Sequence, residues 1–174
     1  MRKRLQWSVQ EEDLRDLGGD IIESERFKKA RHIPHHFDYD VAAHSLDAAE
    51  CALAICRWVN RRGGSVSEED VVRASLLHDI GMTEDEVFES LPSEKAYTHP
   101  QEGVRIAGEE YGANDVQLDA IQYHMWPIGR VTPHHLPGWI LVAADKWSSI
   151  RETGSFATRS VMELMRGRRE ATNE

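Results

Sequence analysis

Wherever the alternation of apolar and polar positions is regular in this chain, it follows a helical repeat. Over residues 67–79, Val72 and Leu76 lie on a stripe that leads to Asp79. Val71, Ser75 and His78 form the neighbouring stripe, while Glu69 and Arg73 face away. Ser67 stands before this helix as a cap, with Asp70 three residues on. The helix runs out in Leu76-Leu77-His78-Asp79-Ile80-Gly81, so an imidazole and a carboxylate emerge side by side from a face that should be buried. Burying such a pair is costly unless each group is paired, hydrogen-bonded or bound to a metal. Gly81 lets the backbone turn sharply away.

The remaining segments follow the same repeat. Residues 9–30 predict one or two helices interrupted at Gly18-Gly19. A loop with Pro34 and three histidines, His32, His35 and His36, follows; it could form a lid or a site wall, although His32 and His36 taken singly read as polar connection. Residues 41–61 give the clearest helix, wet at Asp47, Glu50, Arg57 and Arg61 and dry at Leu46, Ala49, Leu53 and Cys56. His44 shares a second dry stripe with Ala48, Cys51 and Ile55, and Gly63-Gly64 ends the helix. Residues 83–95 read as a short acidic surface helix plus loop. His99-Pro100 then opens a helix, with proline at its first position. Gly112 closes that helix and Asn114 caps the next, 115–125, which presents Ile121 and His124 on one face. Met125-Trp126-Pro127 breaks it. A loop with Arg130, His134 and His135 leads to a last core helix, 137–152, whose stripe is Leu141, Val142 and Asp145. The tail from Thr153 predicts a short amphipathic helix. With no repeat and no strand alternation beyond a few residues, the expected fold is all-α, a compact single-domain helical bundle. It comprises an N-terminal segment packed on the core (1–39), the core (40–152) and a C-terminal helix or tail (153–174).

Composition narrows the function. A chain of 174 residues suits one domain with a sizeable core. Its formal charge of −9 argues against a nucleic-acid-duplex or anionic-membrane binder, yet a metal cluster could still supply local positive charge for a phosphorylated substrate. No apolar run approaches a membrane span. The basic opening through Leu5 is followed by Gln10-Glu11-Glu12-Asp13 where a signal peptide needs an apolar stretch, so a cytoplasmic protein is expected. Cys51 and Cys56, five apart on one helix, point in different directions and predict no disulfide. Trp58, Trp139 and Trp147 are expected in the core or at an interface, a homo-oligomer being left open, and Trp126 borders the candidate site. The oddity is nine histidines.

Five helical segments each deliver an ionisable group on or at the end of an apolar face: His44, His78 with Asp79, His99, His124 and Asp145. Six such groups in one small helical domain favour a shared explanation. Imidazole and carboxylate donors without thiolates suit iron, manganese, zinc, cobalt or nickel. Six donors are too many for one catalytic ion with an open position, whereas two divalent transition-metal ions bridged by Asp79 would use them.

The order His44, His78-Asp79, His99, His124, Asp145 resembles the HD-domain metal-dependent phosphohydrolase superfamily in its six-ligand version, over roughly residues 40–152. Leu76 to Gly81, Thr98 to Gly103, Tyr123-His124 and Ala144-Asp145-Lys146 carry the likeness. The resemblance implies that His44, His78, Asp79 and Asp145 hold one ion, iron or manganese first among the candidates. It implies that His99, His124 and the bridging Asp79 hold the second. A hydroxide between the ions would be the nucleophile toward a phosphate ester or anhydride of a small molecule or nucleotide. Asp79 and Lys146 are the catalytic candidates, and Arg130, His135 and Lys146 the candidate substrate contacts. Cyclic-dinucleotide phosphodiesterases of the superfamily commonly carry lysine where Met82 stands and a Gly-Tyr-Pro signature that is missing here, which disfavours that substrate. The segments around Ala120-Ile121-Gln122-Tyr123-His124 and Ala144-Asp145-Lys146-Trp147 are somewhat similar to those of bacterial dinucleoside-tetraphosphate hydrolases. The same ligands also serve dinuclear iron oxygenases in the superfamily, and signalling modules that bind metal without turnover. Phosphate release or oxygen uptake would separate these. A core of six satisfied polar residues would predict that His99→Ala and His124→Ala cost stability without changing metal content.

Overall fold

The computed structural model describes residues 9–35, 39–82 and 92–171, with side chains described over 9–35, 39–82 and 98–154. Helices α1 (Glu11–Ile22) and α2 (Glu25–Ala30) precede α3 (Val41–Asn60) and α4 (Glu68–Leu77). Then come α5 (Pro92–Tyr111), α6 (Asp115–Tyr123) and α7 (Leu136–Ala171). Among the described residues the one β-type pairing is an isolated bridge between Pro34 and Asp40. The fold is all-α.

Local chemistry sets most boundaries where the sequence puts them. The Asp40 carboxylate accepts the Ala43 N–H at 2.8 Å, and Ser67 Oγ accepts that of Asp70 at 3.1 Å. Asn114 caps α6 by accepting the Gln117 N–H. Gly112 ends α5 at φ 61°, a left-handed backbone that a Cβ would oppose. Asp70 does not close a capping box; its carboxylate instead accepts from Asn114 and Gln117, tying α4 to α6.

Three boundaries differ from expectation. The first helix pair divides at Glu23-Ser24, where Ser24 caps α2, and Gly18 makes only a kink within α1. Helix α5 begins at Pro92, so Pro100 lies inside it; most of the expected acidic surface segment, 83–91, falls outside the described residues. And α7 runs unbroken to Ala171 through the position where a separate tail helix was expected, because no residue around Thr153 removes a backbone donor or demands a non-helical angle.

Helix α4 is the axis of the bundle, packing against α1, α3, α6 and α7. Val71, Val72, Leu76 and Leu77 are fully buried there, with Leu53 from α3, Ile121 from α6 and Leu141 from α7. Trp58, Trp139 and Trp147 are not in that core: they are 46%, 39% and 55% exposed, and the Arg62 guanidinium lies over Trp58 at 3.9 Å. Cys51 and Cys56 are free thiols, as their spacing requires.

Candidate metal centre

The end of α4 sits so close to α5 that the role of Gly81 changes. A Cβ on Gly81 would lie 2.4 Å from the His99 carbonyl oxygen and 2.5 Å from the Gly103 nitrogen. The chain turns here as expected, with the Met82 N–H bonded to the Asp79 carbonyl at 3.0 Å, but the glycine is needed for backbone-to-backbone approach and not for a positive φ. That approach carries His99 to the side of Asp79.

The structure brings all six sequence-predicted donors together. His44 projects from α3, His78 and Asp79 follow α4, His99 lies on α5, His124 caps α6 and Asp145 lies on α7. Each is at most 6% exposed. Asp79 stands at the middle, and its two oxygens face different partners. Oδ2 is 3.2 Å from His78 Nε2 and 3.9 Å from His44 Nε2, which is itself 3.1 Å from Asp145 Oδ1. Oδ1 is 3.2 Å from His99 Nε2 and 3.5 Å from His124 Nε2. Among these donors, His44, His78 and Asp145 form one group within 4.8 Å that could hold a metal ion, and His78, Asp79 and His124 form another.

Hydrogen bonds on the far side of the rings settle which nitrogen looks inward. His78 Nδ1 donates to the Ser75 carbonyl at 2.8 Å and His124 Nδ1 to the Ile121 carbonyl at 2.7 Å. His44 Nδ1 is 2.7 Å from Glu152 Oε1. A carbonyl only accepts, so the Nε2 atoms of His78 and His124 turn lone pairs toward the centre in the neutral ring. His78 Nε2 is buried and has no hydrogen-bond partner among the described residues. A lone pair 3.2 Å from a carboxylate oxygen is repulsive unless a cation, a proton or a metal ion, lies between them. The donor set therefore fits a metal.

Charge follows the same logic. Burial would raise the Asp79 and Asp145 carboxyls, but the surrounding histidines overcome it and hold both well below the usual carboxylate range. They are ionised, the state in which carboxylates ligate. Burial also depresses His44, yet Asp145 and Glu152 outweigh it and lift the ring to about 9. At His124 burial wins and the ring falls to about 4, which leaves it neutral.

Two residues at this centre are absent from the six donors read from the sequence, although the loop of one of them, His35, is a candidate site wall there. Glu152, 1% exposed, backs His44 from the turn of α7 after Ser148 and Ser149. Burial opposes its charge, but the neighbouring His35 and His44 bring it down to about 2. It shares the α7 face of Asp145, seven residues earlier, which is the signal that could have revealed it. His35, from the loop before α3, has its side chain 7% exposed and its Nε2 3.1 Å from Asp79 Oδ2. No periodicity in that loop marks it.

A cavity of about 300 Å³ opens onto the cluster, lined by His35, Asp79, Met82, His99, His124, Met125, Ile128, Asp145, Lys146 and Ser149. Lys146 Nζ is 2.6 Å from Asp145 Oδ2 and donates at 3.5 Å to the His124 carbonyl. Arg130 and His135 do not line this cavity. Arg130 is exposed on a φ 60° backbone, and the exposed His135 gives its N–H to Asp119. Trp126 is likewise absent from the wall and packs edge-on against Trp139. A second cavity, about 400 Å³, reaches Asp79 from the α2 side and carries Arg26, Lys29 and His32.

The family model described as the HD domain matches residues 41–149, which includes every one of the six donors. No curated protein and no solved structure matches the chain significantly.

Proposed function

Since this chain belongs to the HD domain family, we propose that it is a metal-dependent phosphohydrolase cleaving a phosphate ester or anhydride of a small molecule or nucleotide. The observation that carries this reading is the division of Asp79, one oxygen toward His78 and toward His44, which itself meets Asp145, and the other toward His99 and His124. His44, His78, Asp145 and Asp79 Oδ2 would hold one divalent cation, and His99, His124 and Asp79 Oδ1 the other. Bound there, the ions would supply Lewis acidity toward phosphoryl oxygens and lower the pKa of water.

The protein's own groups have the following parts. Asp79 and Asp145 stay ionised and fix the positive charge of the site. Lys146, held by Asp145 at the cavity wall, offers an ammonium to the phosphoryl oxygens as negative charge grows on them. Met82, Met125 and Ile128 give the cavity an apolar rim that restricts water and strengthens those charge interactions. Lys29 and His32 in the α2-side cavity are available to an anionic group beyond the scissile bond, while Arg26 is partly neutralised by Glu110.

The test is elemental analysis of protein purified without chelator, beside the His124→Ala variant, followed by a phosphate-release screen of phosphate esters and dinucleoside polyphosphates with Mn(II) or Fe(II). Two ions per chain, fewer in the variant, together with phosphate release support the proposal. Oxygen uptake without phosphate release would replace it with oxygenase chemistry, and a metal-loaded protein inactive in both would indicate a binding module.

A further inference from the structure

Resting on the reading of this centre as a metal site, we infer that His35 is a further protein donor to the cation on the Oδ2 side of Asp79, closing that site from the loop between α2 and α3.

The placement of His35 parallels that of His44, with a longer approach to Glu152. The two rings stack with centroids 3.9 Å apart and planes 22° from parallel. One carboxylate backs both: Glu152 Oε1 is 2.7 Å from His44 Nδ1, and Oε2 is 3.8 Å from His35 Nδ1. With their Nδ1 edges turned to Glu152, both rings present Nε2 to the centre. His35, His44 and Asp79 place donor atoms within 4.8 Å of one another.

The separations put His35 on the same carboxylate oxygen as the predicted donors. Its Nε2 is 3.1 Å from Asp79 Oδ2, against 3.2 Å for His78 Nε2 and 3.9 Å for His44 Nε2. A cation held at Oδ2 would therefore have His35 as near to it as the histidines that the sequence marks. Five protein donors on this side against three on the other make the two ions unequal. The Oδ2-side ion is the tightly held, nearly saturated one, and the Oδ1-side ion keeps more positions for substrate and water.

The competing role is a hydrogen bond from His35 to Asp79 with no bond to the ion. To separate the two, wild-type protein, His35→Ala and His35→Gln are loaded with Co(II), and stoichiometry, chelator competition and the visible absorption band are measured. Ligation predicts two ions of unequal affinity in the wild type. In both variants the tighter ion should weaken about tenfold or more and the band should change in intensity, with far-UV circular dichroism of the metal-free protein unchanged. Two ions with unaltered affinities and spectrum in both variants would overturn ligation by His35 and leave the two-ion reading intact. A wild type that takes up no ion would overturn that reading too. Should the variants not fold, wild-type protein with 15N-labelled histidine and bound Co(II) decides: hyperfine-shifted ring nitrogens from His35, His44, His78, His99 and His124 are expected, and their appearance in only four histidines would overturn the proposal.

Discussion

The chain contains the tripeptide Pro-His-His twice, as Pro34-His35-His36 and Pro133-His134-His135, and the fold uses the two copies in opposite ways. In the first, proline is exposed and His35 turns inward to Asp79 and Glu152. In the second, Pro133 is buried against Gly138, and the His134 side chain is 63% exposed. Asp119 on α6 holds this second loop by accepting the backbone N–H groups of His134 and His135 and pairing with His134 Nδ1 at 2.6 Å. Identical local sequence thus gives a component of the buried centre in one place and a surface turn in the other. What differs is the company of the carboxylate each loop meets: Asp79 stands among the buried histidines of the centre, whereas Asp119 pairs with an exposed one.

The sharpest way to break this contrast is to remove what the first loop faces. Asp79→Ala should abolish binding of both ions and reduce phosphate release below detection; one ion retained by elemental analysis would sink the bridging assignment. Next in size is Glu152→Gln, which loosens the rings it backs and should weaken metal binding by about 10- to 100-fold in chelator competition. Unchanged affinity would make Glu152 a packing residue. On the surface loop, Asp119→Ala should cost about 1–2 kcal/mol in urea unfolding, because two backbone donors lose a charged acceptor, with metal content unaltered. A fall in metal content there would join the two loops in one function. The smallest effect belongs to His135→Ala, expected within about 0.5 kcal/mol of wild type and neutral for KM; a raised KM would return His135 to the substrate contacts.

The readable part of the molecule is the part built on periodicity and capping. The stripes of α3, α4, α6 and α7 put His44, His78, His124 and Asp145 on inward faces, and the caps at Ser67 and Asn114 stand where predicted. What stayed hidden depends on contacts between segments far apart in the chain. The loop of His35 is legible as a candidate site wall, but without a repeat only the docking on His44 and Asp79 shows which of its histidines enters the centre. Gly81 reads as a turn glycine, and only the His99 carbonyl against it shows the close approach that it also serves. Trp58, Trp139 and Trp147 were expected in the core or at an interface; their exposure on α3 and α7 removes the core alternative.

The convergence on Asp79 has a thermodynamic side as well. His44 and Asp145, 101 residues apart, meet there with three other segments. The unfolded chain cannot hold these donors in one place, so a cation that binds them binds the native state alone. By mass action the free concentration of that cation then enters the folding equilibrium directly, each tenfold rise above the dissociation constant adding about 1.4 kcal/mol per ion bound. Metal supply would thus govern how much of this protein is folded.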